Sequence, residues 1–457
     1  MLKSAKFICG SHPVTRNLHV IIGLGATGFS CARYLIERDI PVAVIDTRPN
    51  PPNLAELKQA YPKVQVSLGK FDDAILDKAE RLVVSPGISL QEPAISRQIS
   101  KGIPVEGDIE LFARAVSVPI IGITGTNAKS TVTTLVGEMA VSAGKRVQVG
   151  GNLGIPALDL ITTPQPELYV LELSSFQLET THSLKPKVAT VLNVTPDHMD
   201  RYAALEDYRK AKQRVYTDCE VAVCNRDDPL TDCGSQFSER KLFFTLNEPG
   251  ENEFGLLNKN GTAFLAYENK ILMPISDLPI LGRHYQANAL AALAIGYGYG
   301  LPFEPMVKTL IEFKGLPHRC QLVRERNGVS WYNDSKGTNV GATLAAIQGL
   351  GPEIQNKLIL IAGGVGKNAD FTPLVPAIEK YVKKVVLIGE AAPLLAEVIG
   401  GRVEVCFGNS MEEAIGLADQ ASSEGDSVLL SPACASFDMF NNFEHRGDVF
   451  TKLVEGL

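Results

Sequence analysis

The sequence lacks the features that mark membrane, secreted or nucleic-acid-binding proteins. None of its 457 residues lies in an apolar stretch approaching the ~20 residues that span a bilayer. The N-terminus has no apolar core followed by a small-residue cleavage site, so we expect no signal peptide and a cytoplasmic location. The net charge is −7, and no basic run is long enough to form a nucleic-acid or anionic-lipid surface. We therefore expect neither a membrane nor a nucleic-acid partner, although nucleotide binding stays open.

The eight cysteines also lack a recognisable pattern. No two form a CxxC pair, and the group Cys219, Cys224 and Cys233 has no histidine at a spacing typical of zinc sites. Scattered cysteines of this kind predict reduced thiols in the cores of a cytosolic protein.

What the sequence does contain is a repeated alternation of apolar strands and amphipathic helices, which predicts α/β domains with largely parallel sheets. A chain of this length suggests about three domains. We predict a Rossmann-like domain at 1–107, a central mononucleotide-binding domain at 108–315 and a second Rossmann-like domain at 316–457, with a hinge at 315–319. Polar residues follow strands in all three, which predicts ligand sites beyond the carboxyl ends of the sheets.

A glycine-rich turn, Gly23 to Gly28, fits GxGxxG between a strand and a helix, and Asp46 lies about twenty residues further on. Backbone amides in such a turn can approach a diphosphate at a helix N-terminus. A nicotinamide dinucleotide would use the turn this way, but no obvious hydride-transfer site accompanies it. A tight turn with no ligand is the alternative.

The strongest motif is Thr124 to Thr131, TGTNAKST, between an apolar strand and a long helix. Its small residues free backbone N–H groups for phosphate oxygens, Lys129 can neutralise phosphate charge, and Ser130 can bind Mg²⁺. The motif departs from GxxxxGK[ST] because Ile123 and Ala128 stand at the two glycine positions, and at Ala128 a side chain narrows the allowed φ.

Further polar residues follow other predicted strands. Glu172 suits a Mg²⁺ ligand facing the phosphate loop, and His198 is flanked by carboxylates. Lys212 lies on a predicted helix, where sequence alone favours a solvated position. Three more clusters at strand ends are Asn333–Lys336, Gly363–Lys367 and Ser431–Ser436.

Taken together, GTNAKST, LELSSFQLE, NVTPDHMDR, GLPHR, NDSKGTN, GGVGKNADF and SPACASFDMFNNFEHRG resemble the Mur ligases. NDSKGTN and SPACASFDMF are most similar to the branch that adds D-glutamate to UDP-N-acetylmuramoyl-L-alanine. The resemblance runs from about Asn17 to the end, and the first ~16 residues read as an extension.

The resemblance implies an enzyme of peptidoglycan precursor synthesis that forms an amide from a carboxylate and an amine at the expense of ATP. An acyl-phosphate is the implied intermediate, and two Mg²⁺ ions are the implied cofactors. It also implies a UDP-binding, an ATP-binding and an amino-acid-binding domain in that order, so the GxGxxG turn is reinterpreted as a UDP diphosphate site. We expect a monomer whose partners are UDP-N-acetylmuramoyl-L-alanine and D-glutamate.

Residue roles follow from the same resemblance. The implied catalytic residues are Lys129, His198 and Lys212, the last of these as a carbamylated lysine. The implied metal ligands are Ser130, Glu172, His198 and Lys212. The implied ATP contacts are Gly125, Thr126, Asn127, Ala128, Lys129, Ser130, Thr131, Asn288, Arg319 and Asp334. The implied UDP-substrate contacts are Ala26, Thr27, Thr47, Arg48, Ser85, Gly87 and Asn152. The implied D-glutamate contacts are Lys336, Thr338, Lys367, Ser436 and Phe443, of which the lysines suit a ligand with two carboxylates.

Two other classes stay open. One is another ligase of the superfamily, adding L-alanine, a diamino acid or a dipeptide, or adding glutamate to folate. A folate ligase would lack the first domain, and a diamino-acid ligase would need an acidic pocket in place of the lysines. The other class is a nicotinamide dehydrogenase or a non-catalytic nucleotide-binding protein.

Overall fold

The computed structural model describes residues 17–234, 240–280 and 282–457. The predicted N-terminal extension, and Cys9 within it, lie outside the described residues. The chain forms two compact units. The first contains the described residues up to Val116 with Pro156–Ile161 and Thr180–Ser183, and the second contains the rest. No helix of the described residues is long and apolar enough to cross a membrane.

The first unit is built on a parallel five-stranded sheet in the order β3-β2-β1-β4-β5. Its apolar runs are buried on both faces, as expected for a parallel sheet covered by helices. This order matches five of the six strands in the Rossmann order 3-2-1-4-5-6, which confirms the predicted class. The elements are β1 His19–Ile22, α1 Ala26–Ile36, β2 Val42–Asp46, α2 Leu54–Ala60, β3 Gln65–Leu68, α3 Asp73–Leu76, β4 Arg81–Val84, α4 Pro93–Ser100, β5 Val105–Glu106 and α5 Asp108–Ala115.

Asp46, at the end of β2, organises the turn between β1 and α1. Its carboxylate accepts hydrogen bonds from the Leu24 amide at 2.7 Å and from the Arg48 side chain at 2.7 and 2.9 Å. Gly28 is needed in the same turn because a Cβ there would collide with the Gly23 carbonyl oxygen. The carboxylate therefore holds the backbone of the turn, and both of its oxygens already accept hydrogen bonds within the first unit.

The second unit contains two sheets. The larger has nine strands in the order β14-β13-β12-β11-β10-β9-β6-β8-β7, parallel from β7 to β12 and antiparallel through β12, β13 and β14. The short strands predicted within 241–275 are therefore confirmed. The elements are β6 Ile120–Thr124, α6 Lys129–Ser142, β7 Val147–Gly151, β8 Leu168–Glu172, α7 Ser175–Glu179, β9 Val188–Val191, α8 Leu205–Gln213, β10 Val221–Asn225, β11 Arg240–Phe244, β12 Glu253–Lys259, β13 Thr262–Tyr267, β14 Lys270–Pro274, α9 Arg283–Tyr299 and α10 Phe303–Glu312.

The smaller sheet of this unit has six strands in the order β15-β16-β20-β17-β18-β19, of which only the edge strand β15 is antiparallel to its neighbour. Two apolar layers, one on each face, cover it. The elements are β15 Gln321–Arg326, β16 Val329–Asn333, α11 Val340–Leu350, β17 Leu358–Gly363, α12 Val375–Tyr381, β18 Val382–Ile388, α13 Ala392–Ile399, β19 Glu404–Phe407, α14 Met411–Ala421, β20 Ser427–Leu430 and α15 Phe443–Glu455.

The predicted domain limits at 107/108 and 315/316 stay predictions. Helix α5, which follows the first limit, belongs to the first compact unit, and the two sheets on either side of the second limit share one compact unit. The three separate sheets agree with the α/β class predicted for each part of the chain.

We expect Asp46→Asn to destabilise the first unit by about 2 kcal/mol at neutral pH, because charge-assisted hydrogen bonds from Leu24 and Arg48 are weakened. Burial raises the pKa of Asp46, but the hydrogen bonds from Arg48 and Leu24 outweigh burial and lower it to about 2. A lowered pKa means that the stabilisation is complete above the ordinary value of 3.8 and is lost as the pH falls towards about 2. Calorimetric unfolding across this pH range should show the wild type and the variant converging.

Hydrogen exchange at neutral pH localises the effect, since the Leu24 amide should exchange faster in Asp46→Asn. The exposed Asp77, which accepts from Lys101, is the matched control, and Asp77→Asn should leave that exchange unchanged. Equal protection of Leu24 in the wild type and Asp46→Asn would contradict the assignment.

Candidate functional site

A cavity of about 670 Å³ lies within the second unit, between its two sheets. It opens beyond the carboxyl ends of β6, β8 and β9 on one side and of β16, β17 and β20 on the other. Parallel strands bring their carboxyl ends to one edge, so side chains distant in sequence meet there.

The loop between β6 and α6 forms part of the cavity wall. Asn193, just after β9, holds this loop from both sides: its Oδ1 accepts from the Asn127 amide at 2.8 Å and its Nδ2 donates to the Asn127 carbonyl at 3.2 Å. Ala128 has φ +67°, the left-handed conformation that glycine adopts without strain. Alanine at position 128 therefore adopts the conformation that glycine would adopt in this loop, at a cost in backbone strain.

Two lysines converge on one carbonyl in this loop. Lys129 Nζ donates to the Gly125 and Thr126 carbonyls at 2.9 Å, and Lys212 Nζ donates to the same Gly125 carbonyl at 2.8 Å. Lys212 is 1% exposed, although a solvated helix face is the position that sequence alone favours. Burial lowers the pKa of both lysines, and for Lys212 the charge of Lys129 lowers it further, to well below its ordinary value. Loss of a proton from Lys212 is consequently easier than from an exposed lysine.

Glu172 ends β8 and faces the same loop. Its Oε1 accepts from Asn152 Nδ2 at 2.6 Å, whereas the buried Oε2 has no hydrogen-bond partner. Gly151 on the neighbouring strand has φ +96°, and a Cβ there would collide with the Glu172 carbonyl, so only glycine fits beside this residue. A buried carboxylate oxygen without a partner, next to a phosphate loop, has the chemistry of a divalent-cation ligand.

His198 follows β9 and also lines the cavity. Its Nε2 lies 3.8 Å from Asp197 Oδ2, and its ring makes an edge contact with Phe176. Burial lowers the pKa of His198, Asp197 raises it, and Lys367, Lys129 and Lys212 lower it further. The net lowering favours a neutral imidazole at physiological pH, which is the form that can bind a metal ion.

Arg319 connects the two halves of the cavity. Its guanidinium donates to Ser130 Oγ at 2.6 Å, and burial lowers its pKa, opposed by the charges of Glu172 and Asp334. Asp334 accepts from Ser431 Oγ at 2.7 Å and from the Cys320 amide at 3.2 Å. Burial raises the pKa of Asp334 to about 6 in spite of these hydrogen bonds.

The far end of the cavity is formed by the smaller sheet. Lys336 Nζ lies 3.8 Å from the centre of the Phe443 ring, and burial lowers its pKa to about 8, helped by Arg319 and Lys129. Beneath it, the fully buried Arg446 donates to Ser335 Oγ and O and to the Cys434 carbonyl at 2.7 to 3.2 Å. Arg446 therefore ties together the two loops that follow β16 and β20.

Most of the sequence-predicted site residues meet in this cavity. Its lining includes Thr126, Asn127, Ala128, Lys129, Ser130, Thr131, Asn152, Glu172, His198, Lys212, Asn288, Arg319, Asp334, Lys336, Thr338, Lys367, Ser436 and Phe443. Gly125 contributes its carbonyl to the two lysines.

The remaining predicted residues lie in the first unit, at the carboxyl ends of β1, β2 and β4. Ala26 and Thr27 begin α1, Arg48 pairs with Asp46, and Ser85 Oγ donates to the Gly23 carbonyl at 3.0 Å. Thr47 and Gly87 follow β2 and β4. These six residues are grouped at one edge of the sheet, where a diphosphate at a helix N-terminus is chemically reasonable.

Sequence reasoning missed three residues that organise the cavity: Asn193, Asn339 and Arg446. Asn339 caps α11 by accepting from the Ala342 amide at 2.8 Å, and its Nδ2 donates to Asn127 Oδ1 at 3.2 Å and to Asp197 Oδ2 at 3.1 Å. Asn339 thus joins the phosphate loop to the smaller sheet. Its position just before a helix predicts a cap, but no local signal predicts partners more than a hundred residues away.

The cavity as a whole is rich in cations. Lys129, Lys212, Arg319 and Lys336 line it, against the carboxylates of Glu172, Asp197 and Asp334. Such a site can bind a polyphosphate at the loop and a carboxylate at the far end, and it can bring the two within reacting distance.

Comparisons with known proteins give a consistent family signal. Three family descriptions match consecutive segments: Mur ligase MurD-like N-terminal domain at residues 17–107, Mur ligase middle domain at 123–296 and Mur ligase glutamate ligase domain at 318–434. A UDP-N-acetylmuramoylalanine–D-glutamate ligase from Coxiella burnetii is 52% identical over 97% of this chain and 100% of its own length. One from Pseudomonas aeruginosa is 52% identical over 96% and 98%.

Solved structures share the fold at low sequence identity. MurF ligase from Thermotoga maritima in complex with ADP has a TM-score of 0.62 at 16% identity, covering 97% of this chain and 99% of that one. UDP-N-acetylmuramate–alanine ligase from the same organism has a TM-score of 0.61 at 17% identity, covering 96% and 99%.

The strained loop residue gives a direct test. We expect Ala128→Gly to stabilise the protein by about 0.5–1 kcal/mol, because relief of left-handed strain exceeds the entropy that glycine adds to the unfolded chain. Ala143, which ends the same helix with φ −81°, is the matched control, and Ala143→Gly should not stabilise. Thermal unfolding of the two variants measures the difference, and destabilisation by Ala128→Gly would show that the loop is not strained at this position.

Proposed function

Because the chain belongs to the Mur ligase family, we propose that it joins D-glutamate to the L-alanyl carboxylate of UDP-N-acetylmuramoyl-L-alanine at the expense of ATP. The observation that carries the proposal is the joint lining of one cavity by the phosphate loop and by Lys336 and Lys367. A phosphate-binding half and a carboxylate-binding half in one cavity are what such a ligase needs.

The chemistry follows from the poor reactivity of a carboxylate. A carboxylate oxygen of the L-alanyl group attacks the γ-phosphorus of ATP, the bond to the β-phosphate oxygen breaks, and ADP leaves. The D-glutamate amine, after loss of a proton, attacks the acyl carbon and forms the amide as phosphate leaves. Both substrates of the first step are anions, so cations must offset their repulsion.

Lys129 and Arg319 are the residues we assign to this task. Both already lie at the phosphate loop, where Lys129 donates to loop carbonyls and Arg319 donates to Ser130. Backbone amides of 125–131 complete the phosphate site, and Asn288 and Asp334 are assigned to the nucleoside. Phosphate oxygens replace the carbonyl and hydroxyl groups as partners of the two cations when ATP binds.

The residues present fit Mg²⁺, which would supply charge neutralisation of the phosphates and of the reacting carboxylate. The partnerless Glu172 Oε2 and the Ser130 hydroxyl would hold one ion, and the neutral His198 a second. Lys212 is assigned as the carbamylated lysine: its neutral amine adds CO₂ and releases one proton, which gives an anionic carbamate. Its low pKa supports this assignment.

The far end of the cavity is assigned to D-glutamate. Lys336 and Lys367 offer charge to the two carboxylates, and Thr338 and Ser436 offer hydroxyl groups. Phe443 stacks beneath the Lys336 ammonium and holds it in place. These residues do not form the acidic pocket that the distal amine of a diamino acid would require.

The other assignments extend along the chain. We assign the UDP moiety to Ala26, Thr27, Thr47, Arg48, Ser85 and Gly87 in the first unit, and the muramoyl end to Asn152. We also propose domain limits at 107/108 and 315/316, a monomeric state and a cytoplasmic location.

The decisive experiment is phosphate release by the purified protein with Mg²⁺, ATP, UDP-N-acetylmuramoyl-L-alanine and a panel of amino acids. We expect release that requires the UDP substrate and D-glutamate and that fails with L-glutamate and with diamino acids. Release with a different amino acid would contradict the pocket assignment but keep the ligase chemistry. Binding of a nicotinamide dinucleotide in place of ATP would overturn the proposal.

Asn339 gives a second prediction, because one side chain both caps α11 and joins the phosphate loop to Asp197. Asn339→Ser keeps a capping oxygen but removes the amide that donates to Asn127 and Asp197, so stability should fall by about 1–2 kcal/mol. Phosphate release should fall about tenfold because the two halves of the cavity are less well aligned.

The matched control is Ser410→Ala, which removes the cap of α14 far from the cavity. We expect it to cost about 1 kcal/mol of stability and leave phosphate release unchanged. If Asn339→Ser releases phosphate at the wild-type rate, measured beside this control, the Asn339 amide plays no part in aligning the two halves of the cavity.

A further inference from the structure

A cluster of metal-binding side chains lies outside the cavity. Cys224 at the end of β10 and the pair Asp232 and Cys233, eight and nine residues later, bring two sulfur atoms and a carboxylate oxygen within 4.8 Å of one another. Among the described residues this is the one such group of three, and none of its members lines the cavity. Spacing alone predicts nothing here, because no histidine or CxxC pair is present.

Two sulfur atoms and one carboxylate oxygen are ligands that suit a thiophilic divalent cation. In a tetrahedral site with metal–sulfur bonds of about 2.3 Å, neighbouring sulfurs lie about 3.8 Å apart, so the observed separations need only small side-chain adjustments. The two cysteines are 1% and 0% exposed, whereas the Asp232 side chain is 57% exposed. Asp232 therefore forms the entrance, and a water molecule can complete the fourth position.

The backbone around the cluster is held in place independently of any ion. Tyr216 Oη, 3.7 Å from Cys224 Sγ, donates to the Val223 and Thr231 carbonyls. Thr231 Oγ1 accepts from the Asn225 amide at 3.0 Å. The backbone next to both cysteines is thus held by hydrogen bonds, as in a preorganised ligand set. The sulfur atoms themselves make only weak contacts, Cys224 Sγ with Tyr216 Oη at 3.7 Å and Cys233 Sγ with the Gly234 carbonyl at 3.3 Å.

One cation already lies near the group. Lys241 Nζ is 3.8 Å from Asp232 Oδ1, a distance at the outer limit of an ion pair between partly exposed groups. Such a pair is weak. A divalent ion with two sulfur ligands can replace it without breaking a buried contact.

We propose that Cys224, Asp232 and Cys233 bind one Zn²⁺-class ion, with release of the thiol protons that the ion displaces. The site joins the end of β10 to the segment after the turn at Pro229–Thr231. The chain between β10 and this turn supports the residues that follow β9, because Asn225 Nδ2 donates to the Leu192 carbonyl and Asp228 Oδ2 accepts from the Val194 amide. Occupancy therefore stiffens a support of the cavity without supplying any group to it.

Co²⁺ is the probe that distinguishes this site from the proposed Mg²⁺ positions. The full-length, chemically reduced protein is titrated with Co²⁺ in excess Mg²⁺. We expect one equivalent to give a near-ultraviolet thiolate-to-cobalt absorption together with visible bands of a tetrahedral ion. Serine, glutamate and histidine ligands of the cavity cannot give the thiolate band. Zn²⁺ should abolish both features by displacement.

Three variants make the assignment specific. Cys233→Ser should remove the thiolate band or reduce Zn²⁺ affinity more than about tenfold, and Asp232→Asn should weaken Zn²⁺ binding while retaining the band. Cys219, a buried cysteine of the same region outside the cluster, is the matched control, and Cys219→Ser should bind like the wild type. Asp232 is exposed, so its variant tests the site even if the buried cysteine variants fail to fold.

Thermal unfolding provides the second readout. Zn²⁺ should raise the melting temperature of the wild type and of Cys219→Ser, but not of Cys233→Ser, because only a folded site binds the ion. Absence of the thiolate band in the wild type, or Zn²⁺ affinity unchanged in both Cys233→Ser and Asp232→Asn, would overturn the proposal. Neither result bears on ATP-dependent phosphate release.

Discussion

The dominant constraint on this molecule is the crowding of cations around one carbonyl and one hydroxyl. Lys129 and Lys212 share the Gly125 carbonyl, and Arg319 holds Ser130 a few residues further on. Burial disfavours each charge, and the mutual repulsion of Lys129 with Lys212 and with Arg319 adds to that penalty. The arrangement is electrostatically incomplete by itself. A bound polyanion would offset the repulsion, and Asn193 and Asn339 hold the loop at which it would bind.

The two sheets contribute different charged side chains to the cavity. The nine-stranded sheet supplies the phosphate loop and the carboxylate of Glu172, and the six-stranded sheet supplies Lys336 and the buried Arg446 beneath it. The proposed phosphate contacts lie mainly in the first half and the proposed D-glutamate contacts in the second, although Asp334 of the second half is assigned to the nucleoside. Their junction at Arg319 and Asn339 is therefore as important to the chemistry as any group that touches a substrate.

Sequence reasoning identified the sheets and most of the cavity because both follow simple rules. Apolar runs between helical patterns predict parallel strands, and polar residues at strand ends such as Glu172 and Asn333 predict a shared edge. It failed where burial depends on tertiary packing. Lys212 reads as a solvated helix residue and is 1% exposed. Asn193, Asn339 and Arg446 act through partners that are distant in the chain, and their short-range context carries no sign of this. The proximity of Cys224 and Cys233 was also not predictable from the sequence, because a turn brings the two residues together and no recognised motif contains them.

Arg446 has a consequence for how the specificity of this protein can change. Its guanidinium binds the loop after β16 through Ser335 and the loop after β20 through Cys434. Substitutions in either loop are therefore energetically coupled to substitutions in the other through one shared, fully buried side chain. The effect of a substitution in one loop should therefore depend on the residues present in the other, so changes that alter the choice of amino acid are expected to be non-additive.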